Sequence, residues 1–164
     1  MRTLLFVFAA SLSFFLQAQD STHISNKDTI TFPSGDKYIG TVTNGQINGY
    51  GIMLWATGDR YEGNWKDNQM SGLGKLVYAD GNEYTGSFKN NLYHGYGRMQ
   101  WTSGDMYEGA WKAGKQHGHG IMIWKKGDQY IGEWKNGLHH GLGVLTYMNG
   151  MVYEGRYKNG NFVH

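Results

Sequence analysis

Residues 61–66 read Tyr61-Glu62-Gly63-Asn64-Trp65-Lys66, residues 107–112 read Tyr107-Glu108-Gly109-Ala110-Trp111-Lys112, and residues 130–135 read Tyr130-Ile131-Gly132-Glu133-Trp134-Lys135. They are one pattern, Tyr-x-Gly-x-Trp-Lys, and its spacing decides the fold. Tyr38, Tyr61, Tyr84, Tyr107, Tyr130 and Tyr153 stand 23 residues apart, with no insertion or deletion between them. Taking each Tyr as position 1 gives five complete units from Tyr38 and a half unit from Tyr153, while residues 32–37 match positions 18 to 23 of an earlier unit. The glycines keep the same period. All 26 of them fall at positions 3, 8, 12, 14 or 21.

Within a unit, positions 1, 3 and 5 run Tyr, Gly, aromatic, and alternation at period two places them on one face of a strand with the Lys of position 6 on the other. Positions 12, 14, 16 and 18 run Gly, Gly, Met or Leu, aromatic, which reads as a second strand with one apolar face. Position 8 is Gly, or Asn at Asn68 and Asn91, the residues that tolerate a left-handed turn between the two strands. Position 21 repeats the device between units, as in Thr57-Gly58 and Asn149-Gly150. Each unit is therefore expected to be a β-hairpin, and glycines inside strands fit where large rings must lie flat on the backbone. The fold class is all-β: an elongated, twisted, antiparallel single-layer sheet of 23-residue hairpins, about 50 to 60 Å long at two strands per unit.

Composition agrees and excludes alternatives. The 164 residues have room for about one domain. With 26 Gly against 1 Pro the chain is not collagen, and an aromatic content of 15% is not that of a disordered glycine-rich linker. The absence of Cys rules out disulfides, thiolate zinc sites and a cysteine nucleophile. Fifteen basic against thirteen acidic residues give a formal charge of +2, so no global field is present to hold nucleic acid, and no nucleic-acid partner is expected. Residues 1–18 begin Met1-Arg2, continue with an apolar stretch over residues 4–16 broken only by Ser11 and Ser13, and end Gln17-Ala18. That is the layout of a secretory signal peptide cleaved near Ala18, and 13 residues fall short of the roughly 20 a spanning helix needs, which disfavours an uncleaved anchor. An exported protein is expected, periplasmic or secreted, with envelope association open, residues 19–31 as a polar connector and the repeat array over residues 32–164.

The Tyr-x-Gly-x-Trp-Lys blocks, each followed by His-Gly-x-Gly or Ser-Gly-x-Gly and an x-Gly turn, resemble MORN repeats, in register from residue 32 to residue 164. Departures are Val42 and Thr43 in place of the aromatic and Lys, and Asn68 and Asn91 in place of Gly. The resemblance implies an extended antiparallel sheet used as a scaffold in protein contacts and self-association, with membrane-lipid binding proposed for some members. It implies no catalytic activity and no cofactor.

Candidate chemistry is thin when weighed residue by residue. Residues 109–115 satisfy G-x4-G-K, but Gln116 stands where Ser or Thr would bind magnesium, and the context is a hairpin. His94, His117, His119, His139 and His140 cluster in sequence, yet position-11 histidines would lie about 10 Å apart, too far to share one metal. No metal site is expected. Recurring Asp36, Asp59, Asp105 and Asp128 at position 22, with Glu62, Glu108 and Glu154 at position 2, read as turn formers and solvated faces rather than an acid and base pair.

Two surfaces remain. One is the aromatic face, whose candidate contact residues are Tyr61, Trp65, Tyr84, Trp101, Tyr107, Trp111, Trp124, Tyr130 and Trp134: these rings either pack on one another and the glycines or leave an exposed apolar groove. The other is the row Lys66, Lys89, Lys112, Lys135 and Lys158, which at about 1 kcal/mol per cation near an anionic membrane would matter, and which otherwise keeps the sheet soluble. Aromatic repeats of cell-wall-binding modules, with rings that cage choline or glycan, have a roughly 20-residue period that does not match 23. The expectation is a non-catalytic exported scaffold whose partner is an unknown protein or a second copy, a homodimer through the C-terminal strand edge included. The alternative is a peripheral binder of anionic lipid.

Overall fold

The computed structural model describes residues 28–163; the expected signal segment and residues 19–27 lie outside them. Thirteen strands follow one another in chain order: β1 (Asp28–Thr31), β2 (Lys37–Thr43), β3 (Gln46–Leu54), β4 (Arg60–Lys66), β5 (Gln69–Val77), β6 (Glu83–Lys89), β7 (Leu92–Gln100), β8 (Met106–Lys112), β9 (Lys115–Ile123), β10 (Gln129–Lys135), β11 (Leu138–Thr146), β12 (Val152–Lys158) and β13 (Asn161–Phe162). Each pairs with its sequence neighbours in a single antiparallel sheet. The all-β repeat expectation holds. The sheet starts earlier than expected, because Ile30 pairs with Tyr38 as a position-16 residue of a preceding unit.

The turn chemistry is visible in the backbone. Positions 7 and 8 are both left-handed in every unit, as at Asn44 (φ 52°) and Gly45 (φ 76°). Such a pair matches the twist of the strands it joins, and Asn and Gly adopt it most readily. Between units, a five-residue loop, residues 55–59, is closed by the N–H of Trp55 donating to the Asp59 carbonyl, with the N–H of Gly58 donating to the Trp55 carbonyl, and the same pair recurs down the sheet.

The in-strand glycines divide into two mechanisms where the sequence suggested one. Gly51 lies under the Tyr38 ring, where a Cβ would stand 2.2 Å from its hydroxyl, and positions 3 and 14 share this role along the array. Position 12 is different. Gly49 has φ +77° and sits in a bulge: Gly40 pairs with Gly51 and Val42 with Ile47, so β3 carries two more residues than β2 across that stretch. Two extra residues leave the alternation in step, so position 10 shares the ring side with positions 14, 16 and 18. Ile47 and Met70 are core residues there, and Tyr93 packs against the core.

That core is a single line of side chains. Tyr38, Tyr61, Tyr84, Tyr107 and Tyr130 are fully buried, and Trp65, Phe88, Trp111 and Trp134 pack edge-on against them, with the Tyr61–Trp65 centroids 5.0 Å apart at 88°. Edge-to-face packing lets an open sheet cover its apolar rings without a second layer.

Candidate binding surfaces

Of the nine aromatic residues expected to meet a partner, seven are filled into the core. The hydroxyls of Tyr61, Tyr84, Tyr107 and Tyr130 donate to the position-4 carbonyls of Asn64, Ser87, Ala110 and Glu133 at 2.9 to 3.0 Å. Burial pushes the ionisation of all four well above the usual tyrosine value. Trp65, Trp111 and Trp134 are about as hidden, and their indole N–H groups donate to the carbonyls of Gly51, Gly97 and Gly120. The remaining two, Trp101 and Trp124, are only half-buried. They belong to a column at position 18, with Trp55, Tyr78 and Tyr147, along the edge that carries the inter-unit loops.

The opposite edge carries the lysines. Lys66, Lys89, Lys112, Lys135 and Lys158 are all exposed, each ending the first strand of its hairpin just before the turn. Among the described residues the ion pairs are Arg60–Glu62 and Lys75–Glu83, so this row is unpaired.

The polar clusters are structural. The five Asp and Asn side chains at position 22 each accept a backbone N–H from the next unit: Asp36 from Ala56, Asp59 from Ala79, Asn82 from Thr102, Asp105 from Lys125 and Asp128 from Met148, all at 2.8 to 2.9 Å. Those bonds hold the Asp36 and Asp105 carboxyls below the ordinary range. His139 is half-buried against the core, stacked on Tyr130 at 3.7 Å, and burial pushes its imidazole down. Among the described residues no three His, Cys, Asp or Glu side chains are grouped to hold a metal. In the G-x4-G-K stretch, Gly109 lies beneath Tyr107, while Ala113 and Gly114 form the left-handed turn pair, so no phosphate loop forms.

The sequence reading passed over the face opposite the rings. Position 13, the residue inside Gly-x-Gly, is exposed there as Tyr50, Leu73, Tyr96 and Leu142, the last 59% accessible. One row across this face reads, strand by strand, Ile39, Ile52, Glu62, Lys75, Thr85, Arg98, Glu108, Ile121, Ile131, Val144, Glu154. Its middle is charged and its C-terminal part apolar. Ile131 is 47% exposed, and Val152 on the neighbouring row 55%. Among the described residues no helix is long and apolar enough to cross a membrane.

Comparison with known proteins fits this geometry. MORN repeats are matched at residues 38–60, 61–83, 84–106, 107–129 and 130–152, the same five units that the tyrosines mark. The chain belongs to the MORN repeat family. No curated protein matches it. One solved structure that matches is the SAS-4 (dCPAP) TCP domain in complex with a proline-rich motif of Ana2 (dSTIL) of Drosophila melanogaster, with 13% identity over 80% of this chain and 90% of that chain, at a TM-score of 0.35.

Proposed function

We propose that the chain is a non-catalytic repeat scaffold that binds a protein partner or a second copy of itself, and that residues 1–18 direct its export to the periplasm or beyond. MORN arrays are repeat scaffolds for protein or membrane interaction, which is the frame for this reading. The observation that carries it is the apolar end of the face opposite the rings, where Ile121, Ile131 and Val144 are cross-strand neighbours with Leu142 and Val152 exposed beside them. Contiguous exposed apolar surface of this kind marks contact sites in soluble proteins. Ile131→Lys places a charge at its centre without touching the ring core. Sedimentation equilibrium of the full chain is expected to show self-association that this change abolishes, or a protein captured from envelope extract that the change releases. A monomer whose captured proteins are the same with and without Ile131→Lys rejects the reading. Export is checked separately by N-terminal sequencing of the mature protein, expected to begin at Gln19.

The lysine edge favours a second reading, binding to anionic lipid. Five unpaired ammonium groups lie along one edge. Co-sedimentation with anionic vesicles that is lost at moderate salt and on Lys112→Glu with Lys135→Glu supports it, and binding to neutral vesicles alone rejects it.

A further inference from the structure

The five units are not equivalent on the ring side. Between the second and third, Tyr78 at position 18 meets Tyr93 at position 10 through their hydroxyls. Between the fourth and fifth the same positions hold Trp124 and His139, whose rings sit edge to face at 6.0 Å with no hydrogen bond between them. The imidazole stacks on Tyr130 as Tyr93 stacks on Tyr84, but it is shorter. A cavity of about 580 Å³ is left open there, lined by Trp124 and Tyr147 together with Asp105, Asp128, Lys125 and Lys126. That volume falls in the range of small-molecule sites.

Its chemistry is specific. Trp124 is half-buried, and among the described residues its indole N–H has no hydrogen-bond partner, unlike those of Trp65, Trp111 and Trp134. Asp128 accepts the Met148 N–H on one carboxylate oxygen, and among the described residues the other has no partner. The two lysines offer donors at the rim and the two aspartates offset their charge. With two charges of each sign offsetting one another, the site carries no net charge to hold a quaternary ammonium, a lysine side chain or a phosphate. What fits is an uncharged molecule with an apolar ring face for the indole and a rim of groups that both donate and accept.

We infer that the junction of the fourth and fifth units is a saccharide-binding site, in which a neutral pyranose lies against Trp124 with its hydroxyls donating to Asp128 and accepting from Lys125 or Lys126. Trp101 and Tyr147 occupy the same column on either side, at about 10 Å per unit, so further sugars of an extended chain would find a second ring. The site is separate from the apolar face invoked above and stands whether or not that face binds a partner.

Two variants test it without disturbing the fold, because the array already contains both. His139→Tyr reproduces Tyr93 and fills the cavity; Asp128→Asn reproduces Asn82, which accepts the Thr102 N–H at 2.9 Å in the same position. Titration calorimetry of the full chain with cellotetraose, chitotetraose and maltotetraose is expected to show saturable binding to at least one, tighter than to its monosaccharide. Either variant, and Trp124→Ala, is expected to weaken it by about tenfold or more, while the circular dichroism and melting temperature of the first two stay at the parent values. Absence of binding to all three sugars at millimolar concentration overturns the inference. So does binding that His139→Tyr leaves unchanged, or heat from choline or inorganic phosphate in place of the sugars.

Discussion

Gly97 and Gly45 carry the same name and opposite sensitivities. A Cβ on Gly97 would stand 2.2 Å from the Tyr84 hydroxyl, and that ring cannot step aside because Tyr93 stacks on it at 3.9 Å and its hydroxyl donates to the Ser87 carbonyl at 3.0 Å. Gly97→Ala is therefore expected to cost about 3 kcal/mol or more, in the upper range of overpacking, read as a lower urea midpoint. Around Gly45 nothing lies within 4 Å, so Gly45→Ala meets only the left-handed penalty of its turn, about 1 kcal/mol. The neighbouring turn position gives the reverse case. Ala113 holds φ 50° where the other units have Asn or Asp, and Ala113→Asn is expected to stabilise by about 0.5 to 1 kcal/mol and raise the melting temperature by a few degrees. Turn positions were legible in the sequence because Gly and Asn advertise them. The position-12 glycines were not, since a glycine in a bulge and a glycine under a ring look identical until the register is known.

At the level of the hairpin, hydrogen bonds across both edges join one unit to the next. On the loop edge the position-22 acceptor reaches 20 residues forward, as Asp59 does to the Ala79 N–H at 2.8 Å. On the turn edge Asn68 and Asn91 reach back to the N–H groups of Ile47 and Met70 at 2.7 and 2.8 Å. Asp59→Ala removes an acceptor and is expected to cost about 1 to 2 kcal/mol, whereas Asp59→Asn is expected to be near neutral because Asn82 already does this work in the next unit. Chemical denaturation of the pair separates hydrogen bonding from charge, since only the alanine should lower the midpoint. Strand and turn alternation made the hairpins readable from spacing alone. These side-chain bonds were read as local turn chemistry because their partners lie in another unit, and the same blindness hid the cavity at Trp124, which depends on what position 10 of the following unit holds.

For the whole molecule, the buried tyrosine line makes the fold sensitive to alkali. Burial pushes the Tyr38 phenol up to about 12 from an ordinary 10.0 and raises Tyr61, Tyr84, Tyr107 and Tyr130 as well. Above pH 10 the unfolded chain sheds these protons while the folded chain keeps them, so the stability contribution is complete below pH 10 and lost as the pH climbs through the folded values. Unfolding followed by circular dichroism is expected to coincide with a cooperative step in tyrosinate absorbance from the buried phenols; ionisation of all twelve tyrosines before unfolding would contradict the burial. Strands that pair only with their sequence neighbours also make the sheet one-dimensional, so a unit should be removable without harm to the rest. Deleting residues 107–129 joins position 23 to position 1 and sets Trp101 against His139 and Asp105 against the Met148 N–H, which repeats contacts that Trp124 and Asp128 already make. This shortened chain is expected to unfold cooperatively with a urea dependence reduced by about one sixth, since two of the thirteen strands are removed. Deleting one residue fewer, 107–128, shifts every later side chain to the opposite face, so Tyr130 and Trp134 would point to solvent and the C-terminal part should lose its protection against hydrogen exchange. Equal stability of the two deletions would mean that the 23-residue register does not hold the sheet together.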